Sequence, residues 1–200
     1  MSVLDKQNLE SAYRSGLSMS EIAKTQNVSP NTVVYWMKKH NIKSRSRSDA
    51  TYFKKHPAGD EFQINNKYPE LLSMGIALYL GEGTKKGHGV RFTNSDPEII
   101  RLFLYFLDRV CGIKKEKIKA WVNYFDDSTC ENILAFWAKE TGIETKNFYK
   151  PFVRKRKLGT YKKRSIYGTI TILFDNKKLK DQIEIWSKEM ITSYADMAQW

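Results

Sequence analysis

The stretch PELLSMGIALYLGEGT, residues 69–84, constrains this chain more than any other. It reads as a helix begun by Pro69, whose fixed φ suits a first helical position, and stopped at Gly83. Ser73, Ala77 and Gly81 recur every four residues, so one stripe of the helix carries only small side chains and admits a second helix at close range. Leu72, Ile76, Leu78 and Leu80 are expected to flank that stripe with apolar contact. Glu82 then falls where a helix presents partial negative charge and unpaired carbonyls, a placement that costs up to about 1 kcal/mol. A bound cation reverses that sign. If two such helices nest through their small stripes, the two Glu82 carboxylates approach and their repulsion favours a divalent ion. Mg²⁺ suits oxygen ligands from Glu82, the Gly81 carbonyl and a phosphate. So held, the ion would polarise phosphorus, activate water and neutralise the leaving oxygen of a phosphodiester.

The charge distribution points to the same polyanion. The chain has a formal charge of +12 over 200 residues. Residues 1–60 carry +5, residues 145–166 carry nine basic and no acidic side chains, and the remainder sums to −2. A charge concentrated in this way suggests a nucleic-acid partner, whereas a solubility device would be spread evenly. With 41% apolar residues the chain can build a real core, which excludes wholesale disorder. The longest nearly apolar stretch, 71–81, is about half of the ~20 residues that cross a bilayer. The first ten residues lack the apolar centre of a signal peptide. Cys111 and Cys130, without metal-ligand spacing, fit reduced thiols, so no membrane association and a cytoplasmic location are expected.

Residues 4–42 read as three short helices. Leu9, Ala12 and Tyr13 share a face of the first, and Ser18 with Glu21 forms a capping box for the second, whose inward residues are Ile22 and Ala23. Ser29 and Pro30 start the third, with Val33, Trp36 and Met37 inward. Its outer face offers Asn31, Thr32, Tyr35, Lys38 and Lys39, the polar and basic mix of a helix that reads a major groove. The string GLSMSEIAKTQNVSPNTVVYWMKKHNI resembles the helix-turn-helix of resolvases and transposases over about residues 5–42. This predicts a small all-α domain over 1–43 and a basic, serine-rich linker over 44–65. Arg45 and Arg47 of that linker are expected either to reach DNA or to stay solvated.

The string GIALYLGEGTKKGHGVRFTNSDPEIIRLFLYFLDRV resembles the motif helix, first hairpin and following helix of the LAGLIDADG homing endonucleases. The likeness is motif-specific over 72–108 and is expected to extend over 66–191, in a domain over 66–200. It implies an α+β fold, the αββαββα saddle with an inserted helix near 128–141. It also implies that Glu82 is the catalytic acid and metal ligand, that Gly81 and Ala77 are helix-packing positions, and that Asn94 is a polar residue touching the active-site water. Ala77 stands where glycine is common, Leu80 where the motif has a first acid, and Glu82 where it has aspartate. A chain with one motif must pair with a second copy to build two acid sites, so a homodimer on a near-palindromic site is implied.

Downstream, the pattern predicts strands at 88–95, 117–124, 148–153 and 166–174, and helices at 98–110, 128–141 and 177–190. On the saddle plan the residues expected in the groove are Arg91, Thr93, Lys117, Lys119, Asn123, Arg154, Arg156, Lys162 and Arg164, with Lys188 as a basic helper at the acid. The expected activity is that of an Mg²⁺-dependent, site-specific endonuclease on double-stranded DNA. The rival is a non-cleaving DNA-binding regulator built on the same folds, with structured RNA as the less favoured partner.

Overall fold

The computed structural model describes residues 4–56, 59–126, 129–155 and 166–195. The chain is mixed α and β and divides into two compact units, Met1–Asp60 and Glu61–Trp200.

In the first unit, Asp5 caps α1 (Lys6–Arg14), the Ser18–Glu21 capping box starts α2 (Met19–Thr25), and Ser29 with Pro30 starts α3 (Pro30–Lys39). Asn27 turns the chain between α2 and α3 with a left-handed φ of 51°. Leu9, Tyr13, Ile22, Ala23, Val33, Trp36 and Met37 meet in one core with Leu4. The segment expected to be a linker instead forms α4 (Arg47–Lys55). Ser46 and Asp49 make a reciprocal capping box there, so the serines that read as solvated spacers include a helix start. Tyr52 is buried, and the Phe53 ring packs on Gly16 at the end of α1. The break between units falls after Asp60, within the 44–65 span expected to link them.

The second unit runs α5 (Pro69–Glu82), β1 (Val90–Asn94), α6 (Pro97–Arg109), β2 (Lys119–Phe125), α7 (Cys130–Thr141), β3 (Phe152–Arg154), β4 (Thr169–Phe174) and α8 (Lys177–Ala195). The four strands form one sheet in the order β1-β4-β2-β3, antiparallel except for the β2–β3 edge pair. Where the expected plan has two strands between its first two helices, the described residues contain β1 alone. Gly83 makes a single bridge to Phe92, and the Thr84 N–H donates to the Arg91 carbonyl at 2.9 Å, so the incoming arm of that hairpin pairs for barely a residue.

Alternation sets the two faces of the sheet. Val90, Phe92, Ala120, Val122, Tyr124, Ile170, Ile172 and Phe174 point into a core shared with all four helices of this unit, represented by Ile76, Phe106, Trp137 and Ile183. Arg91, Thr93, Lys119, Trp121, Asn123, Thr169 and Thr171 point the other way. Two glycines are forced by close approach. A Cβ on Gly75 of α5 would lie 2.2 Å from the Phe106 ring, and one on Gly168, at φ 68°, would lie 2.1 Å from the Asn123 carbonyl oxygen. Among the described residues, no helix is long and apolar enough to cross a membrane.

Candidate functional site

Helix α5 buries Leu71, Gly75, Ile76 and Tyr79. That leaves Ser73, Ala77 and Gly81 on the opposite, exposed side, where a Cβ added to Gly81 would meet nothing within 4 Å. Ile76, expected to flank this stripe, is fully buried in the protomer's own core, so the apolar flank falls to the exposed Met74 and the half-buried Leu72, Leu78 and Leu80. Glu82 is the last residue of α5 and is exposed. The Gly83–Phe92 bridge brings this helix end alongside β1, two residues before Asn94. Asn94 is half-buried, and its side-chain oxygen accepts from the Asp96 N–H at 2.9 Å, which occupies one lone pair in a turn.

Two lysines support the helix end from below, and neither was expected. The Lys85 ammonium donates to the Tyr79 carbonyl, which also accepts from the Gly83 N–H at 2.9 Å, and it sits 4.5 Å from the centre of the Tyr79 ring. The negative end of α5 therefore already holds one cation. Burial holds the Lys85 pKa below its ordinary value, with neighbouring Lys180 lowering it and Glu184 raising it. Lys180 of α8 is buried, paired with Glu184 one turn on, and donates to the Lys85 carbonyl at 3.0 Å. Tyr79 closes the cluster by donating its hydroxyl to the Thr84 carbonyl at 2.9 Å; burial, with Glu184, pushes its pKa up to about 12. Lys188, expected at the acid, is exposed on α8, outside the buried run of Leu179, Lys180, Ile183 and Ser187. The signal for Lys180 is present in the sequence: it shares the inward 180/183/187 stripe and has an acid at i+4.

On the outward face of the sheet, Arg91 is exposed, 3.9 Å from Asp175, and the Thr93 hydroxyl is hydrogen-bonded to that of Thr171 at 2.7 Å. Asn123 is half-buried and paired with Phe152 of the edge strand, and Arg154 lies exposed on that strand. Lys119 keeps its place on the outward face but donates to the buried Asn147 side chain at 2.6 Å. Lys117 does not reach the face: it ends a 3-10 turn (Lys115–Lys117) before β2 and pairs with Glu61 at 2.8 Å. Arg156, Lys162 and Arg164 lie outside the described residues.

In the first unit, Asn31, Tyr35, Lys38 and Lys39 are exposed on α3, and Thr32 is half-buried with its hydroxyl on Ser29 at 2.9 Å. Arg45 is the clear correction. Its guanidinium lies 3.9 Å from the Tyr13 ring centre and 4.7 Å from that of Phe53, and it donates to the carbonyls of Tyr13, Gly16 (3.0 Å) and Leu17 (2.6 Å). These contacts tie the half-buried Arg45 side chain to the helical unit. Arg47 remains exposed at the first position of α4.

Within the described residues of one chain, no three His, Cys, Asp or Glu side chains gather as a metal site. Compared with known proteins, the chain matches no family model, no curated protein and no solved structure.

Proposed function

We propose that this chain is a metal-dependent, site-specific DNA endonuclease of the LAGLIDADG type, acting as a homodimer, with the N-terminal helices as a helix-turn-helix that adds a second DNA contact. The observation that carries the reading is that the helix ending in Glu82 leaves its small-residue stripe, Ser73, Ala77 and Gly81, exposed among the described residues. A second copy nested there brings two Glu82 carboxylates together beside an outward sheet face furnished with Arg91, Thr93, Asn123 and Arg154.

The donor set fits Mg²⁺ only as a pair: one chain supplies a single carboxylate and the Gly81 carbonyl, and two chains double both. When bound there, the ion supplies charge neutralisation and activation of water for phosphodiester hydrolysis. The chain's own residues do the rest. Lys85 and Lys180 fix the end of α5 and with it the backbone from which Glu82 projects. Asn94 turns the chain beside that end with its amide nitrogen left to hold water. Basic side chains on the outward face neutralise phosphates and set the register of the duplex.

One observation favours the rival reading of a non-cleaving DNA-binding regulator: the negative end of α5 is already offset by Lys85, so Glu82 can be carried there without metal. A single assay separates the two. Purified protein incubated with Mg²⁺ and DNA from its native locus gives double-strand breaks that vanish in Glu82→Gln, while binding persists. Tight, Mg²⁺-independent binding with intact DNA at saturating protein establishes the regulator instead.

A further inference from the structure

Three large aromatic side chains stand out of the sheet on one edge. Trp121, Tyr149 and Phe152 are 39%, 50% and 51% exposed, whereas the buried aromatic residues of the core, such as Phe92, Phe174 and Tyr124, are at most 5% exposed. None of the three has a ring contact with a described residue. Backbone pairing puts them together. Ala120 bridges Phe148 in parallel, which sets Tyr149 beside Trp121, and Asn123 pairs with Phe152. Because Ala120 and Val122 are buried, Trp121 belongs to the outward face, along with Asn123. The same edge carries exposed Lys150, Arg154 and Lys155, and the surrounding segment 145–166 has no acidic residue.

We infer that this edge is a stacking platform for an unpaired DNA strand, Trp121 and Phe152 each taking the face of one base while Lys150 and Arg154 hold its phosphates. The inference rests on the reading that the outward face meets DNA, and adds which state of DNA it takes. Charge fixes the partner as a polyanion, and flat exposed rings fix it as one with π-faces to offer. Spacing then selects unpaired over paired. Trp121 and Phe152 lie on paired parallel strands two residues out of register. With strands about 4.8 Å apart and a rise of about 3.3 Å per residue they stand about 8 Å apart, more than twice the about 3.4 Å repeat of bases along one strand of a duplex. Consecutive bases therefore meet both rings only when drawn out of their stack, as they are on other four-stranded sheets that display aromatics. In a closed duplex each base face is covered by its neighbour, and the rings would find only edges.

The test uses the full chain and fluorescence anisotropy with three labelled probes of about 15 nucleotides: oligothymidylate, oligouridylate and a duplex of arbitrary sequence. Oligothymidylate binds and quenches tryptophan emission. Trp121→Ala weakens that binding about 10-fold, Phe152→Ala weakens it comparably, and Trp121→Phe, which keeps a ring, restores most of it. Duplex affinity changes less than about 2-fold in all three variants, since it rests on phosphate contacts. These are surface positions, and unchanged circular dichroism verifies folding. Equal oligothymidylate binding by wild type and Trp121→Ala overturns the platform even when duplex binding is strong. Preference for oligouridylate overturns the assignment to DNA, and failure to bind any of the three probes removes the parent reading as well.

Discussion

Arg45 shows how one side chain redirects a segment. Half-buried against Tyr13 and Phe53, its guanidinium donates from both terminal nitrogens to three carbonyls of the helical unit, and its own backbone N–H donates to the Tyr13 hydroxyl at 2.8 Å. Hydrogen bonds from a charged donor contribute about 1.5–3 kcal/mol, and cation–π contacts roughly a further 0.5–1. Arg45→Ala is therefore expected to lower the stability of the Met1–Asp60 unit by about 2–3 kcal/mol, read as earlier hydrogen exchange in α1 and α4 of the full chain. Arg45→Lys does not rescue it, because an ammonium cannot serve three carbonyls in a fork. Arg47→Ala, by contrast, leaves exchange unchanged and, on the proposed reading, reduces the salt slope of DNA binding by about 1. The cysteines differ just as sharply. Cys111 is fully buried and its thiol is pushed up to about 12 by that burial, while Cys130 is half-buried. A thiol reagent on the folded protein should modify Cys130 first and reach Cys111 only with unfolding.

At the scale of the element, α5 carries glycines with opposite duties. Gly75 lets the helix close onto Phe106, and a methyl there would fall 2.2 Å from that ring and must displace it. Gly75→Ala is expected to destabilise the fold by about 1–3 kcal/mol, measured as a shift of the urea midpoint. Gly81 faces open space, so Gly81→Ala leaves the fold as stable or up to about 1 kcal/mol more so through helix propensity. It adds a methyl to the surface a second copy would occupy. On the proposed reading, sedimentation of Gly81→Ala shifts towards monomer while the melting temperature holds. An unchanged dimer, or a wild type that never self-associates, removes α5 as the pairing helix. The two glycines are equivalent in sequence, since each lies in an apolar helical run. Only what faces each one, α6 at Gly75 and none of the described residues at Gly81, separates packing from presentation.

The whole second unit behaves as one core with respect to alkali. Tyr79 and Cys111 both have raised pKa values in the fold, about 12 against ordinary values of 10 and 9, with burial the main cause. Both are neutral when folded, so their contribution is fully present below the ordinary values. It is lost as pH rises from 9 towards 12, where the unfolded chain releases protons that the folded one retains. Lys85, lowered by burial, works in the opposite direction, but its side chain lies at the exposed rim and weighs less. Urea midpoints of the second unit should therefore fall steeply above pH 9. Tyr79→Phe should reduce the slope above pH 10 while losing about 1 kcal/mol at neutral pH with its hydrogen bond to Thr84.

Local chemistry determined much of this molecule directly. The caps at Ser18 and Ser29, Pro at the start of α5, the inward residues of α1 to α3 and the alternation of β1 and β2 follow from periodicity and from hydrogen-bond donors that need partners near in sequence. The exposed stripe ending in Glu82 is of the same kind, since spacing alone puts Ser73, Ala77 and Gly81 on one side of a helix. What spacing cannot specify is which distant group arrives. Arg45 became a lock because Tyr13 and Phe53 meet around it. Lys117 left the sheet face because Glu61 lies beside its turn, and Lys180, not Lys188, reached the end of α5 because α8 packs that side inward. A charged side chain several ångströms long has many possible partners within one sequence. The tertiary structure chooses among them by which carbonyls and carboxylates it leaves short of a donor.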